Sequence, residues 1–363
     1  MAGAGTLSRM IALPSRYLAR TLLPLLLCAF MTPTADARVV EDLYSARISV
    51  PDRSQAALDS AARAGLAQVL VKITGSRDVV SLPVLKRAVR DARDLLQQFS
   101  YQSDPGTDDL LLELSFSSEI VRNLVIEAGA PLWTANRPQV LVWLVVDGPA
   151  GRQLIDAAGD PGVVRQLRRA FVRRGLPLAM PMLDIEDVTA LSPGDAWRQS
   201  ASAILQASAR YPAQQVLVGR AAVMSGDRWL GDWLLLDGRS RRDRPVTAGA
   251  ADAFLAAGVD LVADTIAGRF ALTSSVAGGT TGARLEVSGI TSYADYAAVV
   301  SWLESIELVE YANVEWLRDD RLTLDLVAGT DLQSLRPLFE LNDRLVPVAA
   351  GAETGNLVYK WQK

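Results

Sequence analysis

The spacing of hydrophobic residues divides the chain into segments typical of helices and segments typical of strands. Leu58, Ala62 and Leu66 recur every four residues, which predicts a helix with one buried face that ends at Gly75. Together with strand-like segments, this helix predicts an N-terminal α+β module over residues 38–136. The predicted strands of this module are residues 39–50, 99–102 and 110–116.

A second module, over residues 137–272, alternates strands and helices. Its first strand, Gln139–Val146, is continuously apolar, as expected where both faces of a sheet are covered. The alternation predicts a layered α/β sheet. Helices are predicted near residues 161–175, 195–210 and 248–271, and strands near residues 176–180, 215–223 and 228–237.

The third module follows a Gly-rich linker, residues 273–283, and spans residues 284–363. Its pattern is β-α-β-β-α-β, the order of a ferredoxin-like sandwich. Leu322, Leu324 and Leu326 alternate with polar residues and predict one buried strand face. We also expect a short helix broken near Pro337 and an additional edge strand at Asn356–Trp361.

The first 37 residues have the pattern of a cleaved export signal. Arg9, Arg16 and Arg20 precede an apolar run, Leu22–Phe30, and Ala35-Asp36-Ala37 provides a small-x-small cleavage site. We therefore expect cleavage after Ala37 and a periplasmic protein. No later apolar run approaches the roughly 20 residues needed to span a bilayer, so no transmembrane segment is expected in the mature chain.

The composition excludes several kinds of chemistry. The chain has 363 residues, is 50% hydrophobic and contains no His, so His-based acid–base catalysis and His-ligated metals are excluded. Cys28 is the only Cys, so no intramolecular disulfide or iron–sulfur cluster can form. We expect no cofactor. The net charge of −4 and the predicted export both argue against nucleic acid as a partner.

Three pairs of residues are the candidate binding residues. Arg77 could hold a carboxylate or phosphate beside Asp78; the alternative is that Gly75 caps a helix and Arg77 and Asp78 form a local ion pair. Trp229 and Trp233 face the same side of a predicted strand, either as a stacking platform for a sugar or peptide or as a cover over the sheet. The third pair, Arg241 and Arg242, lies in a predicted basic loop, Arg239–Arg244, that could meet an anionic lipid or polymer.

A cluster of carboxylates, Asp184, Glu186 and Asp187, leaves two interpretations open. It could act in glycoside hydrolysis or bind a divalent cation. It could equally be an acidic loop before a helix, where carboxylates complement the helix dipole. We assign neither a catalytic nor a metal-ligating residue from it.

Three segments carry a resemblance to a known family. The run Val69–Asp78, the segment Arg174–Leu178 and the segment Tyr211–Arg220 resemble the proteobacterial family called domain of unknown function 2066. The resemblance covers residues 38–272 and implies an exported protein of shared fold, with no activity to carry over. The α/β module is more loosely similar to N-terminal domains of envelope proteins such as TolB.

Together these observations predict a non-enzymatic periplasmic protein that binds envelope proteins during assembly or maintenance of the cell envelope. One alternative is a carboxylate-dependent hydrolase of peptidoglycan or another glycan. Another is a protein that binds anionic lipid. The sequence does not indicate an oligomeric state.

Overall fold

The computed structural model describes residues 38–104, 107, 109–158, 161–238, 240–273, 283–341, 344–348 and 357–362. The predicted export signal and most of the predicted linker lie outside these residues. The helices are α1 (Gln55–Thr74), α2 (Pro83–Arg90), α3 (Ser118–Glu127), α4 (Pro161–Arg174), α5 (Ile185–Ala190), α6 (Pro193–Arg198), α7 (Ala201–Ser208), α8 (Ala251–Phe270), α9 (Tyr293–Glu304) and α10 (Leu332–Phe339).

The strands are shorter on average and more numerous than the helices. They are β1 (Arg38–Val39), β2 (Ser45–Ser49), β3 (Leu96–Ser103), β4 (Leu110–Phe116), β5 (Pro131–Leu132), β6 (Asn136–Arg137), β7 (Val140–Gly148), β8 (Gly151–Ile155), β9 (Leu178–Ala179), β10 (Gln215–Met224), β11 (Arg228–Asp237), β12 (Ser240–Ala248), β13 (Leu272–Thr273), β14 (Ala283–Ser288), β15 (Val309–Arg318), β16 (Arg321–Ala328), β17 (Leu345–Pro347) and β18 (Leu357–Trp361).

The N-terminal part is an antiparallel sheet of order β2-β4-β3 with α1 packed on it. Ser54 caps α1 by accepting a hydrogen bond from the Ala57 N–H, at 3.2 Å. Gly75 ends the helix with a φ of 74°, a left-handed conformation that favours glycine. The contact between α1 and the sheet is close, because a Cβ at Gly65 would lie 2.6 Å from Leu114 Cδ1.

The middle part is a mixed sheet of order β12-β11-β10-β7-β8, in which β9 also pairs with β7. Helices cover both of its faces, which explains why β7 is continuously apolar. On one face Trp143 and Val218 pack with Ile204 of α7. On the other face Leu144 and Leu217 belong to the core that also contains residues of α4 and α8. The predicted mixture of α/β and α+β architecture is confirmed.

The C-terminal sheet has the order β15-β16-β14-β18-β17, with α9 and α10 as its helices. The predicted position of the last strand is wrong: β18 lies inside the sheet, parallel to β14, and β17 forms the edge. The side chains explain this order. Leu357, Tyr359 and Trp361 are buried at alternate positions of β18, whereas the short β17 ends in Pro347, which cannot donate a ladder hydrogen bond.

Three other local predictions are corrected. The helix predicted over residues 195–210 is two helices, because Gln199 is left-handed (φ 52°) and donates to Asp232 Oδ1 at 2.6 Å. Pro337 lies inside α10 without breaking it, since the helix ends two residues later and only its last turn loses a hydrogen bond. The basic segment near Arg241 is the strand β12 and not a loop.

One continuous apolar core includes residues of the three larger sheets. It includes Leu66 of α1, Phe171 of α4 and Leu324 of β16. The module boundaries given above remain predictions. Among the described residues, no helix combines the length and apolarity that crossing a bilayer requires.

Candidate functional site

A cavity of about 630 Å³ lies where the end of α1 meets the last turns of α8. It contains Arg77 and Asp78, the first predicted pair of binding residues. Its wall on the α8 side is made of small side chains. The lining residues are Thr74, Gly75, Ser76, Arg77, Asp78, Pro131, Asp264, Ala267, Gly268 and Ala271.

Arg77 is held at the cavity by two carboxylates of α8. Its guanidinium lies 3.0 Å from Asp260 Oδ2 and 3.6 Å from Asp264 Oδ2. The alternative interpretation is half right: Gly75 caps the helix, but the carboxylates that pair with Arg77 belong to a helix more than 180 residues away and not to Asp78. A side chain fixed by two charged partners loses less rotamer freedom when a ligand binds.

A second arginine, Arg174 at the end of α4, forms ion pairs with the same two carboxylates. Its side chain is 4% exposed and lies 2.8 Å from both Asp260 Oδ1 and Asp264 Oδ1. It also donates to the Gly75 carbonyl at 2.8 Å. Arg174 of α4 therefore connects the C-terminal end of α1 to the carboxylates of α8. Three elements thus set the geometry around Arg77.

Gly268 is an exposed helical glycine in the wall of this cavity. A Cβ at Gly268 would meet nothing within 4 Å, so packing does not require a glycine there. Gly258 in the same helix is different, because its Cβ would lie 2.3 Å from the Trp233 ring. Glycine inside a helix costs about 1 kcal/mol relative to alanine. The missing side chain at Gly268 leaves the cavity wider and has no other structural explanation among its neighbours.

Arg137 is fully buried near this junction and sequence reasoning missed it. Its guanidinium lies 3.8 Å from the centre of the Trp133 ring. An arginine of this kind has no sequence pattern, because its partners are backbone carbonyls whose positions only the fold determines. Its hydrogen bonds, at 2.8–3.2 Å, are donated to the carbonyls of Lys72, Trp133, Thr134, Arg174 and Gly175.

Lys72 is also buried, with 2% of its surface exposed. Its Nζ donates to the carbonyls of Asp42 (3.1 Å) and Ser45 (2.7 Å). Burial and, to a smaller extent, the positive charge of Arg137 lower the pKa of Lys72 to about 8. The two bonds connect α1 to the start of β2 and to the segment before it.

The acidic segment is part of a hydrogen-bonded network. Arg210 binds Asp184 through two nitrogens, at 2.6 and 2.9 Å, and also contacts Asp187 at 3.1 Å. The hydrogen bonds from Arg210 hold the pKa of Asp184 at about 2. A general acid in glycoside hydrolysis needs a raised pKa, so this environment disfavours that role for Asp184. Within the described residues, no group of three or more potential ligands is arranged to hold a metal ion.

Trp229 and Trp233 share one face of β11, but both rings are buried. The Trp229 and Trp233 rings pack against Phe254 of α8, at centroid distances of 5.6 and 5.2 Å. Trp233 Nε1 donates to the Phe254 carbonyl at 2.9 Å. Neither ring offers a free surface for stacking, so the structure places this pair in the core between sheet and helix.

Arg241 and Arg242 are exposed on the edge strand β12. Arg241 pairs with Asp243 at 3.0 Å, which partly neutralises the basic segment. Arg244 on the same strand reaches back to Asp264 at 3.8 Å and to the Ala257 carbonyl at 3.1 Å. The structure therefore does not bring Arg241 and Arg242 into the cavity, but it brings Arg244 to a carboxylate that Arg77 shares.

Comparison with known proteins gives one family match. Residues 37–134 match a family described as a domain of unknown function (DUF8605). The predicted resemblance to the domain of unknown function 2066 family is therefore wrong. The matched residues include the Thr74–Asp78 side of the cavity.

A search of solved structures gives a weak neighbour. It is a formyltetrahydrofolate deformylase from Pseudomonas putida KT2440, with 11% identity over 52% of this chain and 88% of that chain, at a TM-score of 0.16. A similarity of that size carries no argument about this chain, and the looser likeness to TolB-like domains has no support. No curated protein matches the chain.

Proposed function

We propose that this chain is an exported, non-enzymatic protein that binds a partner of the cell envelope through the cavity beside Arg77. The export signal predicted over residues 1–37 supports the compartment. The resemblance to an exported family is wrong, so the signal is the basis of the proposed periplasmic location.

The open wall at Gly268 is the observation that carries the proposal. An uncrowded glycine at an exposed helical position lowers stability without a packing gain, and here it lines a cavity that a pre-oriented arginine borders. A binding site explains this combination, since space and a fixed polar anchor are what a ligand pocket requires.

The environment of the acidic segment favours binding over hydrolysis. Asp184 and Asp187 are engaged by Arg210 and serve to hold a local structure. A carboxylate with a lowered pKa remains ionised at neutral pH and has no proton to donate.

Substitution of Gly268 by a large side chain tests the cavity. We expect Gly268→Trp to fill it, and retention of envelope proteins on the immobilised mature chain to fall by about tenfold or more, equivalent to about 1.4 kcal/mol. The measurement is quantitative mass spectrometry of proteins captured from detergent-solubilised envelopes. Gly249→Trp is the matched control, because Gly249 is exposed, equally uncrowded and outside the cavity lining.

Two results would contradict the proposal. One is capture that does not exceed a mock surface, or that is the same for both tryptophan variants. The other is catalytic turnover. We expect the purified chain to release no fragments from peptidoglycan sacculi, with or without divalent cations. Release that Asp184→Asn abolishes would establish a hydrolase instead.

A further inference from the structure

A cluster of large apolar side chains is exposed on and just before α5. Met182, Ile185 and Val188 are 63%, 84% and 50% exposed. Ile185 and Val188 are three residues apart in one helix and therefore lie on the same face of it, and Met182 precedes the helix. We call these three residues the α5 patch. Single exposed apolar residues are ordinary, but three so close together in the chain are typical of a contact surface.

Hydrogen bonds around the buried Asp187 hold the segment that carries the α5 patch. Tyr211 donates to Asp187 and accepts a hydrogen bond from the Met182 N–H at 3.0 Å. The Leu183 N–H donates to the same Asp187 carboxylate at 2.9 Å, although Leu183 adopts a left-handed φ of 50° that a non-glycine residue rarely takes. The backbone on both sides of Ile185 is thus fixed before any partner arrives.

The charges beside the α5 patch select the chemistry of a partner. Asp184, Glu186 and Asp187 surround one guanidinium, that of Arg210, which leaves a net negative charge. The carboxylate of Glu186 is 70% exposed and lies in the same helix as Ile185 and Val188. An anionic membrane would be repelled here, whereas a basic protein segment would be attracted.

We propose that the α5 patch is a docking surface for a partner protein, and that the partner contributes a helix with one apolar face flanked by lysine or arginine. Ridges of side chains on one helix pack between those of another, which fits the three-residue spacing of Ile185 and Val188 in α5. The fixed backbone lowers the entropy cost of binding. The site is separate from the cavity beside Arg77, and it depends on neither the export nor the proposed function.

A labelled amphipathic peptide of leucine and lysine is a suitable probe for the full mature chain. We expect fluorescence anisotropy to show binding that Ile185→Asn and Val188→Asn each weaken by about tenfold. Val172→Asn is the matched control, since Val172 is a valine of similar exposure on another helix, α4. Glu186→Gln should weaken binding by about two- to fivefold, and a leucine–glutamate peptide should bind at least tenfold more weakly, on the order of 1.4 kcal/mol.

Circular dichroism of each variant shows that a loss of binding is not a loss of fold. The proposal is overturned if the leucine–lysine peptide does not bind, or if Val172→Asn weakens it as much as Val188→Asn. It is also overturned if phosphatidylglycerol vesicles bind more tightly than the peptide in an Ile185-dependent way, which would indicate a membrane. Self-association that Ile185→Asn abolishes, measured by sedimentation, would indicate a second copy of the chain instead.

Discussion

At the scale of single side chains, buried basic residues connect distant segments by donating hydrogen bonds to backbone carbonyls. Lys72 and Arg137 both donate to carbonyls of segments that are distant in sequence. Burial opposes both charges, but an arginine stays protonated at any ordinary pH, whereas a lysine can lose its proton. Lys72 is therefore a residue through which pH can act on stability.

We expect the free energy of unfolding to rise between pH 8 and pH 10, the ordinary pKa of tyrosine; above it Tyr44 and Tyr211 act in the opposite direction, because burial raises their pKa to about 12. The pKa of Lys72 is about 8 in the folded chain and 10.5 in its ordinary state, so the unfolded chain binds more protons in this interval. The full effect is at most about 3 kcal/mol. Urea unfolding at several pH values measures it.

Lysine-to-methionine variants separate this effect from other titrations. Lys72→Met should remove the rise with pH, whatever it does to the absolute stability. Lys86→Met should keep it, because Lys86 is exposed on α2. An unchanged pH profile in Lys72→Met would show that another group is responsible.

The two contrasting glycines of α8 illustrate the scale of the secondary-structure element. Gly258 allows the helix to approach the Trp233 ring, and Gly268 lies where no neighbour limits a side chain. One residue type therefore has opposite effects on stability at two positions of one helix.

Alanine substitution should reveal the difference directly. Gly258→Ala should lower the free energy of unfolding by about 1–3 kcal/mol, because the new methyl group meets a ring that a hydrogen bond holds in place. Gly268→Ala should raise it by about 0.5–1 kcal/mol through helix propensity. Denaturant unfolding followed by tryptophan fluorescence measures both, and changes of the same sign would contradict the packing described for α8.

The hydrophobic pattern predicted most elements but not their pairing. The helix that ends at Gly75 and the buried strand β7 follow from local spacing and capping. The interior position of β18 depends on which strand buries its alternate side chains against β14, and that is decided by tertiary contacts. The break at Gln199 likewise depends on a hydrogen bond to Asp232, 33 residues away.

The candidate site shows the same limit. Arg77 was found because it follows a recognisable helix end, whereas Gly268 and Arg174 became part of the site only through the packing of α8 on α4 and α1. A strand pattern predicts which face of a sheet the Trp233 side chain is on. It does not predict what covers that face, so the burial of Trp233 does not follow from the sequence.

At the scale of the whole molecule, Arg137 joins segments of the N-terminal and middle parts. We expect Arg137→Met to lower the free energy of unfolding by about 3 kcal/mol or more, because several carbonyls lose the hydrogen bonds that this buried side chain donates. Thermal unfolding measures the loss. Arg63→Met, at an exposed position of α1, should change stability by less than about 0.5 kcal/mol, and an equal effect of both variants would contradict the role of Arg137.

The interior position of β18 has a consequence for the order of synthesis. About seventy residues separate the end of β14 from the start of β18. A ribosome must therefore translate past residue 357 before β14 gains its second neighbouring strand. Until then the edge of β14 that faces β18, including Leu285 and Val287, has no partner strand. Proteolytic removal of the residues after β17 would consequently remove β18 from between β14 and β17, and β17 would lose the strand with which it pairs.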